Sequence, residues 1–401
     1  MTQTSTINPL RPLHAAAEAE FAAWAEVEIV STYGEPQAEY AAVRKGAAVI
    51  DLPQRGFLEL TGRDRFAFLN NLLTNQTYAK AEKTGLAAGE GVYAFLLNLK
   101  GRIVCDVNVI ERGDRTLLEM DIRFVAPIAK LFDAYLFSEQ VKVANRVGEM
   151  HEIAIHGPGT LSILNEVADE PIELTKPLAS VSRKILGIET VLWRDDVTGT
   201  PGYHLIVPTS SVVELWSGLL ERFGNSPDLG KRRLRPLGWA MFNTLRIEAG
   251  RPIFGIDFDG QPVDTAMPNK ANREAAADVG PGILPAETGQ FDRAVSITKG
   301  CYLGQEIVAR MHARQQLARQ IVGIRLEVDA LPIAGEPIFD DAHNQVGGIT
   351  SSTISPMLSN HAICLGIVKK QFIAPGSTVL VPAEGSMRKG TVVKLPFVEG
   401  L

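Results

Sequence analysis

From Ala318 onward the sequence carries no helical period. Four β-rich runs follow one another: "ARQIVGIRLEV", "GEPIFDDAHNQVGGITSSTIS", "HAICLGIVKK" and "GSTVLVPAEGSMRKGTVVKLPF". Gly, Pro and Asn turns break them into lengths too short for a helix of any stability. The pattern suits a small antiparallel barrel of about 80 residues. The earlier chain mixes both periods.

That earlier chain divides again near residue 150. Before it, "AAVIDLPQRGFLELTG" alternates apolar and polar residues around a Pro-Gln-Arg-Gly turn and reads as strands. "GRDRFAFLNNLLTNQ" reads as a helix, with Asp64 as N-cap and Phe68, Leu69, Leu72 and Leu73 on its apolar face. "GVYAFLLNLKGRIVCDVNVIERGDRTLLEMD" reads as a three-strand meander with tight turns, closed by a helix over "APIAKLFDAYLF". After it, "HEIAIHGPG" is a strand, and a loose Pro-containing segment leads to a hairpin turning at Thr198–Gly202. The helix "SSVVELWSGLLERFG" has capping-box spacing at Ser211 and Glu214, a stripe of Val213, Trp216 and Leu220, and Gly224 past its end. "LGWAMFNTLRIEAG" is a further helix, stopped by Gly250. Residues 1–40 read as an extended entry followed by a short helix, and residues 251–300 as a Pro- and Gly-rich segment of the kind that carries function.

The 401 residues are long enough for two or three domains. A net charge of −6 with interspersed signs gives nucleic acid and anionic membrane nothing to bind, and no apolar run has the length of a membrane span. The start lacks a secretory h-region. Three widely spaced cysteines, 105, 301 and 364, are no disulfide framework, so a reducing cytoplasm is expected. Neither a Cys-x-x-Cys nor a histidine cluster suggests a metal site.

One stretch carries chemistry: "KGCYLGQEIVAR", residues 299–310. Gly300 and Gly304 free the backbone around Cys301, and "GQEIVARM" opens a helix whose positive end would lie near the sulfur. Lys299 adds a cation, and both effects favour a thiolate. The alternative is a small side chain under a helix N-terminus, with Lys299 solvated. Residue types alone do not separate the two.

The same loop resembles the signature of the YgfZ family, folate-binding proteins that assist iron–sulfur cluster assembly and repair. "LRIEAGRPIFGIDFD" is similar to a segment of the glycine-cleavage T-protein, the aminomethyltransferase of that superfamily. "AAVRKGAAVIDLPQRGFLELTGRDRFAFLNNLLTN", "TGTPGYHLIVP" and "GITSSTISPMLSNHAICLGIV" agree in order. The resemblance implies an α+β fold of three domains in a cloverleaf around a central channel. Its parts would be residues 1–55 with 148–238, residues 56–147 with 239–317, and a β-barrel over 318–401. It further implies tetrahydrofolate, or a one-carbon derivative, as cofactor, and iron–sulfur client proteins or assembly factors as partners.

The two branches differ in their acids. T-proteins carry paired aspartates after Asn-x-x-Gly-Gly, the first of which activates the folate. Aligning Asn98 and Gly101 puts Cys105 at the first position and Asp106 at the second, and strand neighbours face opposite sides. The T-protein Thr-Gly-Glu turn here reads Thr198, Gly199, Thr200. The resemblance therefore implies a folate-binding protein with Cys301 as working thiol, Lys299 as its electrostatic helper, and Gln305 and Glu306 positioning the loop. Asn98, Tyr203 and Glu248 would line the folate channel. Arg310, with Arg314 one turn on, would attract a folate glutamate tail. A folate-dependent aminomethyltransferase and a folate-binding scaffold without thiol chemistry are the alternatives. Each candidate also has a plain structural explanation: Asn98 satisfying its turn, Tyr203 in a core, Glu248 paired with Arg246 or Arg251.

Overall fold

The computed structural model describes residues 8–225, 232–270, 282–314 and 317–398, with the side chain of Arg314 outside the described residues. Part of the loose segment, residues 271–281, also lies outside them. The chain forms two units, one of Met1–Phe66, Gly85–Val92 and Asn108–Asn243, the other of Ala67–Thr84, Tyr93–Val107 and Thr244–Leu401.

In the first unit the alternating runs close into a six-stranded sheet. Its order is Ser180–Ile185, Ile188–Arg194, Gly202–Pro208, Met150–His156, Ala48–Asp51 and Arg235–Pro236, antiparallel except for the last pair. Ser180–Ile185 falls in the stretch read as loose. One sheet face buries Val49, Ile155, Tyr203 and Leu205 against helix Val212–Phe223. That helix turns Val212, Leu215, Trp216, Leu219 and Phe223 inward, so Trp216 of the expected stripe is buried while Val213 is left 38% exposed. Ser211 makes no side-chain cap, because a 3₁₀ turn over Thr209–Ser211 already holds it in helical geometry. Gly224 ends the helix as expected, its amide bonded to Leu220 O. The entry segment contains a hairpin, Glu20–Trp24 with Val27–Thr32, that its Ala-rich composition concealed.

The meander is observed: a second sheet runs Lys142–Asn145, Arg55–Thr61, Thr116–Asp121, Ile103–Glu111, Gly91–Leu97. Its last two strands carry the chain from one unit into the other. Helix Ile122–Tyr135 is capped by Asp121, whose carboxylate accepts the Arg123 amide. In the second unit the β-only block is a closed barrel of six strands: Arg319–Leu326, His361–Lys369, Gln345–Ser355, Pro337–Phe339, Thr378–Ala383 and Ser386–Val393. Closure removes unpaired edges. Ile324, Ile338, Cys364, Val379 and Val381 fill its interior, and burial pushes the Cys364 thiol up to about 12, so this cysteine is an inert packing group.

Candidate functional site

The cysteine loop is held from beneath by its own lysine. Lys299 is 7% exposed, and Nζ donates to the carbonyl oxygens of Asn70 (2.7 Å), Leu73 and Asn75 (2.9 Å). Those three acceptors use all three N–H groups of an ammonium. Burial, and next the charge of Lys80, push its pKa down to about 7. The ammonium also lies 4.8 Å from the Tyr302 ring centroid. Tyr302 is itself buried, and its hydroxyl is pushed up to about 12 for that reason.

Above this cage the loop meets the turn at Asn98. Gly304 has φ +79°, and a Cβ there would stand 2.5 Å from Asn98 O and 3.1 Å from Gly101 Cα. Gly101 has φ +69°, and a Cβ there would stand 2.9 Å from Ile307 Cβ and 3.4 Å from Gly304 O. Two glycines thus let two backbones touch, which is the physical need behind both. Asn98 spends its amide on the turn: Oδ1 accepts from Lys100 N (2.9 Å) and Arg102 N (3.0 Å), and Nδ2 donates to Thr265 (3.3 Å). Cys301 is exposed, and helix Gln305–Arg314 begins four residues later. Gln305 is half-buried, while Glu306 and Arg310 are exposed on that helix.

The neighbouring strand supplies no free carboxylate at the aligned position. Cys105 is 2% exposed. Asp106 is 8% exposed and accepts the Tyr93 hydroxyl at 3.0 Å. Burial, then the Asp106 charge, holds that phenol well above its ordinary range. Glu248 is fully buried and accepts from Ser355 Oγ on the barrel strand Gln345–Ser355, while Arg246 donates to Asp257 and Ser351.

The first unit holds a polar cluster that no motif announced. Tyr203 is 2% exposed and belongs to the apolar core, but its strand neighbour His204 faces the other side. There His204 Nδ1 and Trp193 Nε1 both meet Glu152 Oε1, at 2.8 and 3.1 Å, and the Trp193 and His204 rings stack at 4.1 Å. His156 stands edge-on to His204 at 5.7 Å and 5.5 Å from the Phe242 ring. A side chain at Gly202 would come within 2.5 Å of His156 Nδ1, so glycine there admits the imidazole. Beyond them, Glu119 pairs with Arg55 and accepts from Asn108 at 2.7 Å. Among the described residues, both nitrogens of His156, Nε2 of His204, Oε2 of Glu152 and Oδ1 of Asn108 are buried without a hydrogen-bond partner. Burial, then His204, lowers His156 to about 3, so its ring is neutral. Burial, then the charge of Glu119, raises Glu152.

Unmatched buried polar atoms each cost on the order of 1–3 kcal/mol, so a native protein that gathers them in one place has a use for them. The set is a carboxylate oxygen, an amide oxygen and imidazole nitrogens between aromatic faces. The signals available in the sequence were two histidines and a tryptophan on adjacent strands, which is too little to identify a site. Among the described residues no group of three or more His, Cys, Asp or Glu is placed to hold a metal ion, and no helix is long and apolar enough to cross a membrane.

Comparison with known proteins agrees with this architecture. Residues 10–268 match the GCVT N-terminal domain, and residues 319–399 match the glycine cleavage T-protein C-terminal barrel domain. An aminomethyltransferase of Chloroherpeton thalassium is 27% identical over 396 residues, covering 97% of this chain and 98% of its own. Another, from a Thermoanaerobacter species, is 27% identical over 390 residues, covering 94% and 92%. The crystal structure of glycine cleavage system aminomethyltransferase T from Bartonella henselae matches with a TM-score of 0.81 at 21% identity, covering 98% of this chain and 97% of that one. The α+β fold with its C-terminal closed barrel is the fold of that protein.

Proposed function

We propose that this chain, which belongs to the glycine-cleavage T-protein family, binds tetrahydrofolate and works through the Cys301 thiol, in the YgfZ-type role of supporting iron–sulfur cluster assembly or repair. Tetrahydrofolate is the cofactor of the family, in keeping with what the motifs implied. One observation carries the thiol reading: the aligned acid position is the buried Cys105, while Cys301 is exposed on a loop locked to the Asn98 turn. Asp106, the remaining acid, is engaged by Tyr93.

On this reading Glu152 accepts from the pterin edge, with His204 and His156 completing its hydrogen bonds and Trp193 holding the carboxylate in place. The folate, when bound, supplies nitrogens that carry one-carbon units. Around the loop, Lys299 holds the backbone from beneath, Gln305 and Glu306 stand at the helix start, and Arg310 would meet a glutamate tail. The three-domain division at 1–55 with 148–238, 56–147 with 239–317, and 318–401 belongs to the same proposal, as does action in a reducing cytoplasm.

The second reading is aminomethyl transfer, and the relatives favour it: curated aminomethyltransferases align along 94–97% of this chain. The two readings share the folate and differ in the reacting group. Purified protein with tetrahydrofolate and an aminomethylated lipoyl protein separates them. Turnover that survives Cys301→Ala establishes the transferase and sinks the thiol reading. Absent turnover, with iron–sulfur enzyme activity lost in cells carrying only Cys301→Ala, supports it. Full iron–sulfur activity in those cells leaves a folate-binding scaffold.

A further inference from the structure

The turn "ERGDR" that joins strands Ile103–Glu111 and Thr116–Asp121 carries a guanidinium that no acid takes up. Arg112 is half-buried, and its Nη1 donates to Ser180 Oγ at 2.8 Å and its Nη2 to Ser182 Oγ at 2.7 Å. Backbone bonds fix that approach: Gly89 N donates to Glu111 O at 2.9 Å, and Ser180 N donates to Gly89 O at 2.7 Å. Gly89 has φ +88°, and a Cβ there would stand 2.9 Å from Ser180 O, so only glycine joins the two strands in this way. The nearby acids are engaged elsewhere, Glu111 with Arg65 at 2.8 Å and Asp114 3.7 Å from Arg115. Among the described residues Arg112 has no carboxylate partner. Burial, then the charge of Arg115, lower its pKa against the pull of Glu111 and Asp114.

A hydroxyl that accepts one hydrogen bond can still donate another. Ser180, Ser182 and the remaining N–H groups of Arg112 are therefore a set of donors without an acceptor. Ser180 is 6% exposed and Ser182 is exposed, so the set has a buried floor and an open side. A guanidinium beside two hydroxyls matches both the charge and the several lone pairs of an oxyanion. We propose that Arg112, Ser180 and Ser182 form a binding site for an oxyanion, a phosphate or carboxylate group. The other charges beside it are occupied: Lys184, on the same strand face as Ser182, is 3.3 Å from Glu189, and Glu90 accepts from Ala87 N at 2.9 Å. Strand register gives the site a neighbour. Ser180 pairs with Trp193 and Trp193 with His204, and cross-strand partners share a face, so the serine lies in line with the residues that bind Glu152. The site stands independently of the thiol reading, and only the identity of a folate as its occupant rests on the proposed function.

The test is calorimetric titration of the full chain with inorganic phosphate at neutral pH and low salt. The wild type is expected to bind it, Arg112→Met to weaken binding about tenfold and Ser182→Ala about threefold. Ser182→Asp sets a carboxylate on Arg112 from within, so it should abolish phosphate binding in a chain whose urea midpoint is no lower than that of the wild type. That variant decides the matter if Arg112→Met does not fold. A second titration identifies the source of the oxyanion. If it is a ligand's own carboxylate, tetrahydrofolate with a chain of γ-linked glutamates should bind about fivefold tighter than the monoglutamate, and Arg112→Met should erase that gain. Equal affinities, with phosphate still bound, identify a free oxyanion. The assignment is overturned if the wild type binds no phosphate and gains nothing from added glutamates, or if folded Arg112→Met or Ser182→Asp binds phosphate as the wild type does. A wild type that binds phosphate but no tetrahydrofolate sinks the folate reading and leaves this site standing.

Discussion

The cysteine loop and the Glu152–His204–His156 cluster are opposite kinds of site. The loop is exposed at its sulfur and rich in sequence signature, and the three N–H groups of Lys299 beneath it are given to backbone carbonyls. The cluster is buried, spread over strands Met150–His156, Ile188–Arg194 and Gly202–Pro208, and left with polar atoms unmatched. A satisfied structure around one reactive group is how a protein presents a side chain to a partner. An unsatisfied set of donors and acceptors is how it waits for a flat polar ligand. On the proposed reading, chemistry belongs to the loop and ligand recognition to the cluster.

The hardest blow to that contrast would come from Lys299. Removing its ammonium strands three carbonyls under the loop, so Lys299→Met should lower stability by about 3 kcal/mol in urea unfolding. A variant as stable as the wild type would mean that the cage is not structural and would return Lys299 to the sulfur. Next in size is a split in ligand affinity by calorimetry. Glu152→Gln should weaken tetrahydrofolate binding about thirtyfold, whereas Cys301→Ala should stay within about twofold. The reverse pattern would exchange the roles of the two regions.

A further effect separates them by pH. His156 titrates at about 3 when folded against 6.5 unfolded. Between those values the unfolded chain takes a proton that the folded one does not. Stability should therefore fall as pH drops from 6.5 toward 3, by up to about 1.4 kcal/mol per pH unit, with no contribution above 6.5. His156→Phe should flatten that part of a denaturation series; an unchanged slope would show the imidazole to be solvated rather than buried. Least of all, Tyr203→Phe should change folate affinity by less than about threefold, since the ring belongs to the apolar core. A tenfold loss would place its hydroxyl at the ligand and blur the division between the faces of that strand.

Much of this architecture was legible beforehand. The meander, the hairpin ending at Gly202–Pro208, helix Gln305–Arg314 and the barrel all announce themselves through period and turn residues, which act over a few positions. Where local signals misled, a neighbour decided the matter. Ser211 has the spacing of a cap but sits in a 3₁₀ turn, and Val213 was assigned to a stripe that the sheet receives from Val212, Leu215 and Trp216 instead. The Cys301 loop was readable because its residues are contiguous. The histidine cluster was not, because Glu152, Trp193 and His204 are brought together only by pairing of strands whose side chains alternate faces.

By itself the sequence determined the meander, most of the longer helices, the late barrel, the glycines around Cys301 and the absence of an aligned acid at Cys105. Those follow from periodicity, backbone freedom and residue type, all local properties. Tertiary structure alone decided that Lys299 is caged by carbonyls, that Glu248 meets Ser355, and that buried polar atoms gather around His156. Each depends on where distant segments meet, and the free energy of an ammonium or an imidazole is set by the acceptors and the water that surround it after folding, not by its neighbours along the chain.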